Sequence, residues 1–390
     1  MHAPEPVTAN WGFPTKVWFG AGRLRDLPVA VKQCRASRPL LVTDRGLAAL
    51  PMVADAVALL AEVGLHCRIF GEVKPNPTGA NIDAGVAAFR DGDHDLVIAL
   101  GGGSGLDAGK AIALMARQMR PIWDFEDIGD HWQRVDTSAP VPVIAVPTTA
   151  GTGSELGRSS IVTDEARRRK IVIFHPIMLP DLVIMDPELT TSLPRVLTAA
   201  TGMDALAHGL EAYCSPVFHP MADGLAVQAL RMIREWLPRA AEDGNDLVAR
   251  SQMLVASGMA CVALQKGLGG MHALAHPLGA QYDLHHGMLN AVLMPYVLSH
   301  NMPVLTGRLA DLARCLDLPH HTDAAVLDWV LALREQLDIP RSLMFMGIDH
   351  SHAEQIVAAA VVDPCGFTNP IALDRENVAG IFTAAVAGRL

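Results

Sequence analysis

The clearest indication of the fold is the stretch Asp95-Leu96-Val97-Ile98-Ala99-Leu100-Gly101-Gly102-Gly103-Ser104-Gly105-Leu106-Asp107-Ala108-Gly109-Lys110-Ala111. A largely apolar, β-type run opens it, and three consecutive glycines join that run to a helix-forming segment. Glycine has no Cβ, so backbone N–H groups can approach a ligand closely, and the following helix adds its positive N-terminal end. We therefore expect Gly101, Gly102 and Gly103 to bind the diphosphate of a dinucleotide.

This glycine loop excludes one phosphate-binding motif and fits another in its looser form. A Walker A loop is excluded because Ser104 stands where its first glycine belongs and Ala111 replaces the Ser or Thr that holds magnesium. The Rossmann pattern is met as G-x-G-x-x-A by Gly103, Gly105 and Ala108. The structural alternative is a tight strand-to-helix turn that binds no ligand.

Four further β-type runs share the first half of the chain with that strand, at residues 39–43, 67–70, 141–146 and 182–185. Alanine- and leucine-rich segments of helical length, such as 46–63 and 79–89, separate several of them. Near-continuous apolar strands alternating with helices are typical of a parallel sheet covered on both faces. The pattern predicts an α/β dinucleotide-binding domain with a mainly parallel sheet over residues 1–193.

Polar residues follow two of these predicted strands, where ligands of parallel sheets bind. After residues 141–146 comes Pro147-Thr148-Thr149-Ala150-Gly151-Thr152-Gly153-Ser154-Glu155, whose hydroxyls suit phosphate, ribose or a carboxamide. After residues 39–43 comes Asp44, which could accept from an adenosine-ribose hydroxyl and repel a 2′-phosphate, favouring NAD over NADP. At each place a capped turn is the alternative interpretation.

The second half of the chain has a different pattern. From about residue 193 the β-type runs disappear, and segments with helical periodicity take over at 198–213, 221–237, 247–264, 289–300, 324–337 and 375–387. We predict an all-α second domain over residues 194–390.

Histidines and one aspartate give this second domain its chemistry. Asp204 and His208 lie four residues apart, so they share one helix face, and His272 and His276 repeat the spacing; His286 follows. A single histidine is more often a surface or core residue, but buried polar groups need partners, and one divalent metal would satisfy several of these together. Imidazole nitrogens with one carboxylate and no cysteine suit Fe(II) or Zn(II) better than magnesium or calcium.

Composition excludes several classes of protein. The chain has 390 residues, of which 50% are hydrophobic and 18% charged, so it is not mainly disordered. Its net charge of −10 argues against nucleic acid or an anionic membrane as a partner. The six scattered cysteines predict reduced thiols, and the Pro-containing, acidic N-terminus does not resemble a secretory signal. No stretch approaches the roughly 18 apolar residues of a membrane span, so we expect a soluble cytoplasmic protein.

Together these motifs resemble the iron-dependent (group III) alcohol dehydrogenases over nearly the whole chain. The matching stretches are Phe13-Pro14, Phe19-Gly20-Ala21-Gly22, Pro75-Asn76-Pro77-Thr78, Gly101-Gly102-Gly103-Ser104 with Asp107 and Lys110, residues 147–155, Gly202-Met203-Asp204 with His208, His272 with His276-Pro277-Leu278-Gly279, and His286-Gly287. One stretch departs from the family: its Cys-x-x-x-Asn-Pro-Arg pattern becomes Cys365-Gly366-Phe367-Thr368-Asn369-Pro370 followed by Ile371.

The resemblance implies a dehydroquinate synthase-like arrangement of an α/β dinucleotide-binding domain and an all-α metal-binding domain. It implies one divalent ion, iron first and zinc as the alternative, held by Asp204, His208, His272 and His286, with His285 outside the ligand set. His276 is similar to the family's non-ligand histidine near nicotinamide and substrate, a candidate proton shuttle. Asp44 matches the ribose-selecting aspartate, and the cofactor-contacting positions are Gly102, Gly103, Ser104, Asp107, Thr148, Thr149, Thr152 and Lys170.

A dinucleotide loop and a metal site together predict hydride transfer. A Lewis-acidic metal lowers the pKa of bound water and should acidify a bound alcohol in the same way, which favours loss of hydride to nicotinamide. We expect an NAD-dependent, divalent-metal-dependent alcohol dehydrogenase, equally an aldehyde reductase, acting on a small primary alcohol or hydroxyacid. The family often forms dimers, so a homo-oligomer is expected.

Other activities stay open on the same fold. A polyol (glycerol-type) dehydrogenase and a hydroxyacid–oxoacid transhydrogenase are the nearest alternatives. A lyase of the dehydroquinate synthase type should need several Lys or Arg residues around the metal, and residues 199–215 and 268–290 contain none. A nucleotide-responsive regulatory protein would bind NAD without alcohol-dependent reduction. Lys266 could attract a substrate carboxylate, as in 4-hydroxybutyrate, or be a solvated loop lysine.

Overall fold

The structure is a computed structural model that describes residues 9–11, 15–167 and 169–390. Phe13-Pro14, one of the stretches that carries the family resemblance, lies outside the described residues. The chain divides into two compact units, Met1–Ser192 and Leu193–Leu390.

A mainly parallel sheet forms the centre of the first unit. Within the described residues its strands are β1 (Ala9–Trp11), β2 (Lys16–Phe19), β3 (Pro39–Asp44), β4 (Arg68–Val73), β5 (Leu96–Gly101), β6 (Val143–Pro147) and β9 (Leu182–Met185). Their order is β1-β2-β9-β6-β5-β3-β4, and every neighbouring pair is parallel except β1 with β2. The predicted α/β fold with a mainly parallel sheet is confirmed.

Four strands of this sheet are buried along nearly their whole length, because helices pack on its faces. The helices are α1 (Leu27–Gln33), α2 (Pro51–Glu62), α3 (Gly79–Asp91) and α4 (Gly103–Met115). Leu41, Ile98, Ile144 and Ile184 from four of the strands meet α1 and α2 in one apolar core. The apolar runs in the sequence are therefore the strands of this core.

The sequence did not predict the antiparallel pair β7 (Ser159–Asp164) and β8 (Arg169–Phe174). Buried and half-buried residues alternate along β7, so it lacks the continuous apolar run that marked the other strands. Strand β2 was missed as well, because it is four residues long and contains Lys16.

The second unit is helical, as predicted. Its helices are α5 (Arg195–Cys214), α6 (Pro220–Glu242), α7 (Leu247–Ala263), α8 (Gly270–Tyr282), α9 (His286–Asn301), α10 (Arg308–Cys315), α11 (Asp323–Gln336), α12 (Ala353–Val361) and α13 (Arg375–Ala387). Helix α5 lies at the centre, buried from Thr198 to Cys214 apart from Thr201, and packs against α6, α7 and α9. A helix surrounded in this way can hold polar side chains away from water only if other polar groups meet them.

One helical segment within the described residues, Leu247–Lys266, is long and apolar enough to cross a membrane by length and composition. Two-thirds of it (67%) is buried inside the structure, and Arg250 within it donates to the Thr198 hydroxyl and to two backbone carbonyls. Those features are typical of a core helix in a soluble protein.

Candidate active site

Helices α5 and α8 bring together three of the four residues expected to bind metal. Asp204 and His208 project from adjacent turns of α5, and His272 projects from α8. One potential ligand atom of each lies within 4.8 Å of the others, and all three side chains are buried. The rings of His208 and His272 stack with their centroids 4.8 Å apart.

The fourth residue, His286, is the first residue of α9 and lies beside the other three. Its Nε2 atom is 3.8 Å from Asp204 Oδ1, and its ring centroid is 5.2 Å from that of His272. Gly287 makes this approach possible, because a Cβ there would lie 2.4 Å from the backbone oxygen of Ala200 on α5. The adjacent His285 is exposed and accepts from the Met288 backbone N–H as the N-cap of α9.

Asn290, one turn along α9, shows that the potential metal-ligand atoms face a common centre. Its Nδ2 atom donates to Asp204 Oδ1 at 2.8 Å and lies 3.1 Å from His272 Nε2 and 3.2 Å from His286 Nε2. Its own Oδ1 is buried with no hydrogen-bond partner among the described residues. The centre therefore contains more hydrogen-bond acceptors than donors, and a bound cation would interact favourably with the acceptors that have no donor.

Behind His272 lies a carboxylate that sequence reasoning missed. Glu211 Oε2 is 2.6 Å from His272 Nδ1, and Oε1 accepts from the Met271 backbone N–H at 2.7 Å. Holding the proton on Nδ1 leaves the Nε2 lone pair for a metal, as in the carboxylate–histidine–metal arrangements of other proteins. The sequence position of Glu211 could have revealed it. Glu211 lies three residues after His208 and therefore on a neighbouring part of the same helix surface.

The electrostatics of the cluster also favour a cation. Burial alone would lower the pKa of His272, but Glu211, Asp204 and Asp363 outweigh it and hold that pKa above its usual value. Buried carboxylates beside neutral imidazoles leave excess negative charge, which either a proton or a metal ion can balance. The donor set of three imidazoles and one carboxylate fits Fe(II) or Zn(II), so the residues present suit the expected metal.

We expect Glu211→Gln to weaken metal binding by about ten- to hundredfold, the usual effect of removing a hydrogen-bond partner of a metal-ligating histidine. Glutamine can still accept from Nδ1–H but lacks the charge that increases the basicity of His272. The dissociation constant, measured by competition with a chelator, checks this. Glu235→Gln, at an exposed position of α6, is the matched control, and equal affinities in the two variants would refute the role of Glu211.

His276 lies one turn beyond His272 and is held by a second carboxylate that sequence reasoning missed. Its Nδ1 atom is 2.9 Å from Asp363 Oδ2, and its ring stacks on that of His286 at 5.5 Å. Burial tends to raise the pKa of Asp363, but His276 beside it lowers that pKa below its usual value, so Asp363 is ionised at neutral pH. An ionised Asp363 keeps the proton on Nδ1 and leaves the lone pair of the neutral imidazole on Nε2.

In the first unit, the glycine loop lies at the switch point of the sheet. The chain leaves β3 towards β4 on one side and leaves β5 towards β6 on the other, and ligands of open α/β sheets bind at such a point. Asp44 ends β3, and Gly101 ends β5. The Asp44 Oδ1 atom accepts from the Gly46 and Leu47 N–H groups, while Oδ2 lies 3.7 Å from where a Cβ of Gly101 would be.

The Thr-rich loop predicted to share this ligand lies directly against the glycines. A Cβ on Gly103 would lie 2.6 Å from Thr152 Cγ2, and one on Gly102 would lie 3.2 Å from Thr149 Cγ2. The Thr148 N–H donates to the Gly101 carbonyl at 2.9 Å. A side chain at position 103 would therefore push the two loops apart, and one at position 102 would crowd them. The hydroxyl-bearing residues lie beside the predicted diphosphate site.

The remaining residues expected at the cofactor are linked to one another by hydrogen bonds. Asp107 accepts from the Ser154 hydroxyl and from the Ile161 N–H, so it joins α4 to the Thr-rich loop and to β7. Lys170 donates to Asn76 Oδ1 at 2.8 Å, and the Asn76 N–H donates to Ser104 Oγ at 3.3 Å. The structure thus brings Lys170 and Ser104 to a common neighbour, Asn76.

Both sequence-based interpretations of Lys266 are wrong. Its side chain is buried, and its Nζ atom donates to Asp223 Oδ1 at 2.6 Å and to the Tyr213 carbonyl at 3.3 Å. An ammonium group paired in this way is neither solvated nor available to a substrate carboxylate. The residues that pair with it, on α5 and α6, are far from Lys266 in sequence, so the pattern around 265–268 could not reveal the burial.

Family models match both units. The model described as "Iron-containing alcohol dehydrogenase" matches residues 14–187, and that described as "Fe-containing alcohol dehydrogenase family, C-terminal" matches residues 198–386.

Curated relatives and solved structures agree with these matches. The chain is 41% identical to a 4-hydroxybutyrate dehydrogenase of Cupriavidus necator over 91% of this chain and 94% of that protein. It is 36% identical to alcohol dehydrogenase 4 of Schizosaccharomyces pombe over 98% of this chain and 90% of that protein. A crystal structure of a 1,3-propanediol oxidoreductase superposes with a TM-score of 0.90 at 33% identity, covering 98% of this chain and all (100%) of that one.

Proposed function

Because the chain belongs to the iron-containing alcohol dehydrogenase family, we propose that it oxidises a small, uncharged primary alcohol with NAD, or reduces the corresponding aldehyde. It is an oxidoreductase of alcohols and aldehydes that uses NAD and a divalent metal, typically iron, as this family does. Residues 1–193 are proposed as the dinucleotide-binding domain and residues 194–390 as the metal-binding domain. The proposal rests chiefly on one observation: potential metal-ligand atoms of Asp204, His272 and His286 converge around Asn290 Nδ2.

Asp204, His208, His272 and His286 are proposed to hold the metal, which when bound supplies Lewis acidity that favours the ionised form of an alcohol. Glu211 orients His272. Asp363 keeps the proton of His276 on Nδ1, so that Nε2 can accept the alcohol proton in oxidation and return it in reduction. The residues proposed to bind NAD are Gly101, Gly102, Gly103, Ser104, Asp107, Thr148, Thr149, Thr152 and Lys170. Asp107 and Lys170 also hydrogen-bond to neighbouring loops.

The preference for an uncharged substrate rests on the lack of cationic side chains in the segments that carry the proposed metal ligands. Residues 199–215 and 268–290, which carry the proposed ligands, contain no Lys or Arg. Lys266 is engaged by Asp223, and Ile371 replaces the arginine common in the family. A buried carboxylate without a partner costs at least about 1–3 kcal/mol, which corresponds to roughly ten- to hundredfold in specificity.

A panel of alcohols followed by NADH absorbance tests this preference. We expect kcat/KM for 1-butanol to exceed that for 4-hydroxybutyrate by at least about tenfold, since the two differ chiefly by the carboxylate. The reverse order would support the second candidate, a 4-hydroxybutyrate dehydrogenase, which is favoured by the 41%-identical relative of that name. Net formation of NADH in the same assay distinguishes either activity from that of a transhydrogenase, which turns over substrate without forming net NADH.

Asp44 is expected to set the coenzyme preference. Asp44→Gly should raise kcat/KM with NADP relative to NAD, because the carboxylate that repels a 2′-phosphate is removed. Since Asp44 also caps two backbone N–H groups, Asp44→Asn serves as the matched variant that keeps an accepting oxygen and removes only the charge. An unchanged NAD:NADP ratio in both variants would show that Asp44 is only a turn residue.

A cytoplasmic location and a dimeric state complete the proposal. None of the six cysteines forms a disulfide, which suits a reducing compartment. The dimer is expected because it is common in the family, and light scattering on the purified protein measures it directly.

A further inference from the structure

A second group of metal-binding side chains lies beside the proposed catalytic centre and shares none of its four ligands. His276, Asp363 and Cys365 each offer one ligand atom, and these atoms lie within 4.8 Å of one another. His276 and Asp363 are buried, and Cys365 is half-buried. Three elements of different chemistry meet here: an imidazole from α8, a carboxylate that follows α12, and a thiol from the short turn Pro364–Thr368.

Asp363 is the centre of this group. Its Oδ2 atom lies 2.9 Å from His276 Nδ1, its Oδ1 accepts from the Cys365 backbone N–H at 2.9 Å, and the Cys365 side chain hydrogen-bonds to the same carboxylate. Three groups donate hydrogen bonds to this carboxylate: the His276 imidazole, the Cys365 thiol and the Cys365 backbone N–H. The imidazole and the thiol are also groups that bind metals. Because their donor atoms already face one carboxylate, a divalent cation can replace their protons without a change in the backbone.

We propose that His276 Nδ1, Asp363 and Cys365 form a second cation site, selective for thiophilic divalent ions such as Zn²⁺ and Cd²⁺, and that a cation bound there inhibits the enzyme. One nitrogen, one oxygen and one sulfur ligand are a set that zinc accepts, with its fourth position left for water. Magnesium and calcium prefer oxygen ligands and are excluded by the thiolate and imidazole. The four ligands proposed for the catalytic metal include no sulfur, so the two sites differ in the cations they prefer.

Inhibition follows from the tautomer of His276. The incoming cation displaces the thiol proton of Cys365 to solvent and takes the lone pair of Nδ1, so the single proton of the neutral imidazole must lie on Nε2. An imidazole with a proton on Nε2 has no lone pair there to accept a proton from an alcohol. This consequence rests on the proposed function, in which Nε2 of His276 is the proton acceptor, whereas binding of the cation does not.

Charge-transfer absorption distinguishes the second site from the catalytic one, because only the second contains a thiolate. We expect enzyme already loaded with one equivalent of Zn²⁺ to develop a sulfur-to-metal ultraviolet band on titration with Cd²⁺. Cys365→Ser should abolish the band and keep basal activity within about twofold, since serine can still donate to Asp363. Cys315→Ser, which removes an exposed thiol on α10, is the matched control and should keep the band.

Activity measured in the same titration supplies the second readout. Excess Zn²⁺ should lower turnover of the loaded wild-type enzyme by about 10²- to 10⁴-fold, the size of a general acid–base contribution, and Cys365→Ser should resist it. Equal inhibition of both proteins, or a band that survives Cys365→Ser, would overturn the proposal; Cys365→Ala repeats the comparison if the serine variant fails to fold. A Cys365-dependent band without inhibition would keep the cation site and refute His276 as the proton acceptor.

Discussion

His272→Ala should lower turnover steeply and abolish metal retention while leaving NAD binding intact. The imidazole contributes the Nε2 atom that faces Asp204 and His286, and its removal leaves the remaining ligands and the Glu211 carboxylate without the partner that links them. A catalytic metal supplies several kcal/mol of charge stabilisation, and each ~1.36 kcal/mol is tenfold in rate, so a loss on the order of 10³-fold is expected.

Three measurements on this variant separate the metal site from the rest of the protein. Elemental analysis reports the metal, NADH production reports turnover, and calorimetric titration reports NAD binding, for which residues of the first unit are proposed. His320→Ala, at an exposed position before α11, is the control for a histidine-to-alanine change. Full activity and full metal content in His272→Ala would contradict the ligand assignment.

The second large effect is expected at His276, whose change should separate proton transfer from metal binding. His276→Ala should lower kcat by about 10²- to 10⁴-fold, the range for loss of a general acid–base group, because no other nitrogen is held in the same place by Asp363. Metal content and NAD affinity should match those of the wild type, since His276 is not among the four proposed ligands.

The contrast between His276→Ala and His272→Ala is the informative result. His272→Ala is expected to lose metal, and His276→Ala to keep it, although the two residues lie one turn apart on α8. Loss of metal from both would place His276 in the ligand set, and unchanged kcat in His276→Ala would remove its role as a proton shuttle.

Local sequence patterns were enough to predict the framework of the fold. Continuous apolar runs predicted the buried strands β3, β5, β6 and β9, because a strand buried on both faces must be apolar throughout. The hairpin of β7 and β8 escaped, since alternating burial leaves a weaker pattern. The i, i+4 spacing similarly predicted that Asp204 and His208 share a helix face, as do His272 and His276.

The groups that support the site were not accessible to the same reasoning. Asp363 lies 87 residues from His276, and Glu211 lies 61 residues from His272, so only the packing of different helices brings each pair together. Lys266 was misjudged for the same reason, because its partner Asp223 is 43 residues away. Spacing along one helix can be read from sequence, whereas contacts between helices depend on the tertiary structure.

Asp204, His208, His272 and His286 are proposed to hold one cation that the reaction requires. Stepwise addition of Fe²⁺ to metal-free protein in the absence of oxygen, with alcohol-dependent NADH formation measured at each step, tests this requirement. The proposed site predicts no activity without metal and a linear rise that stops at one equivalent per chain. Undiminished activity in protein shown by elemental analysis to contain no transition metal would contradict it.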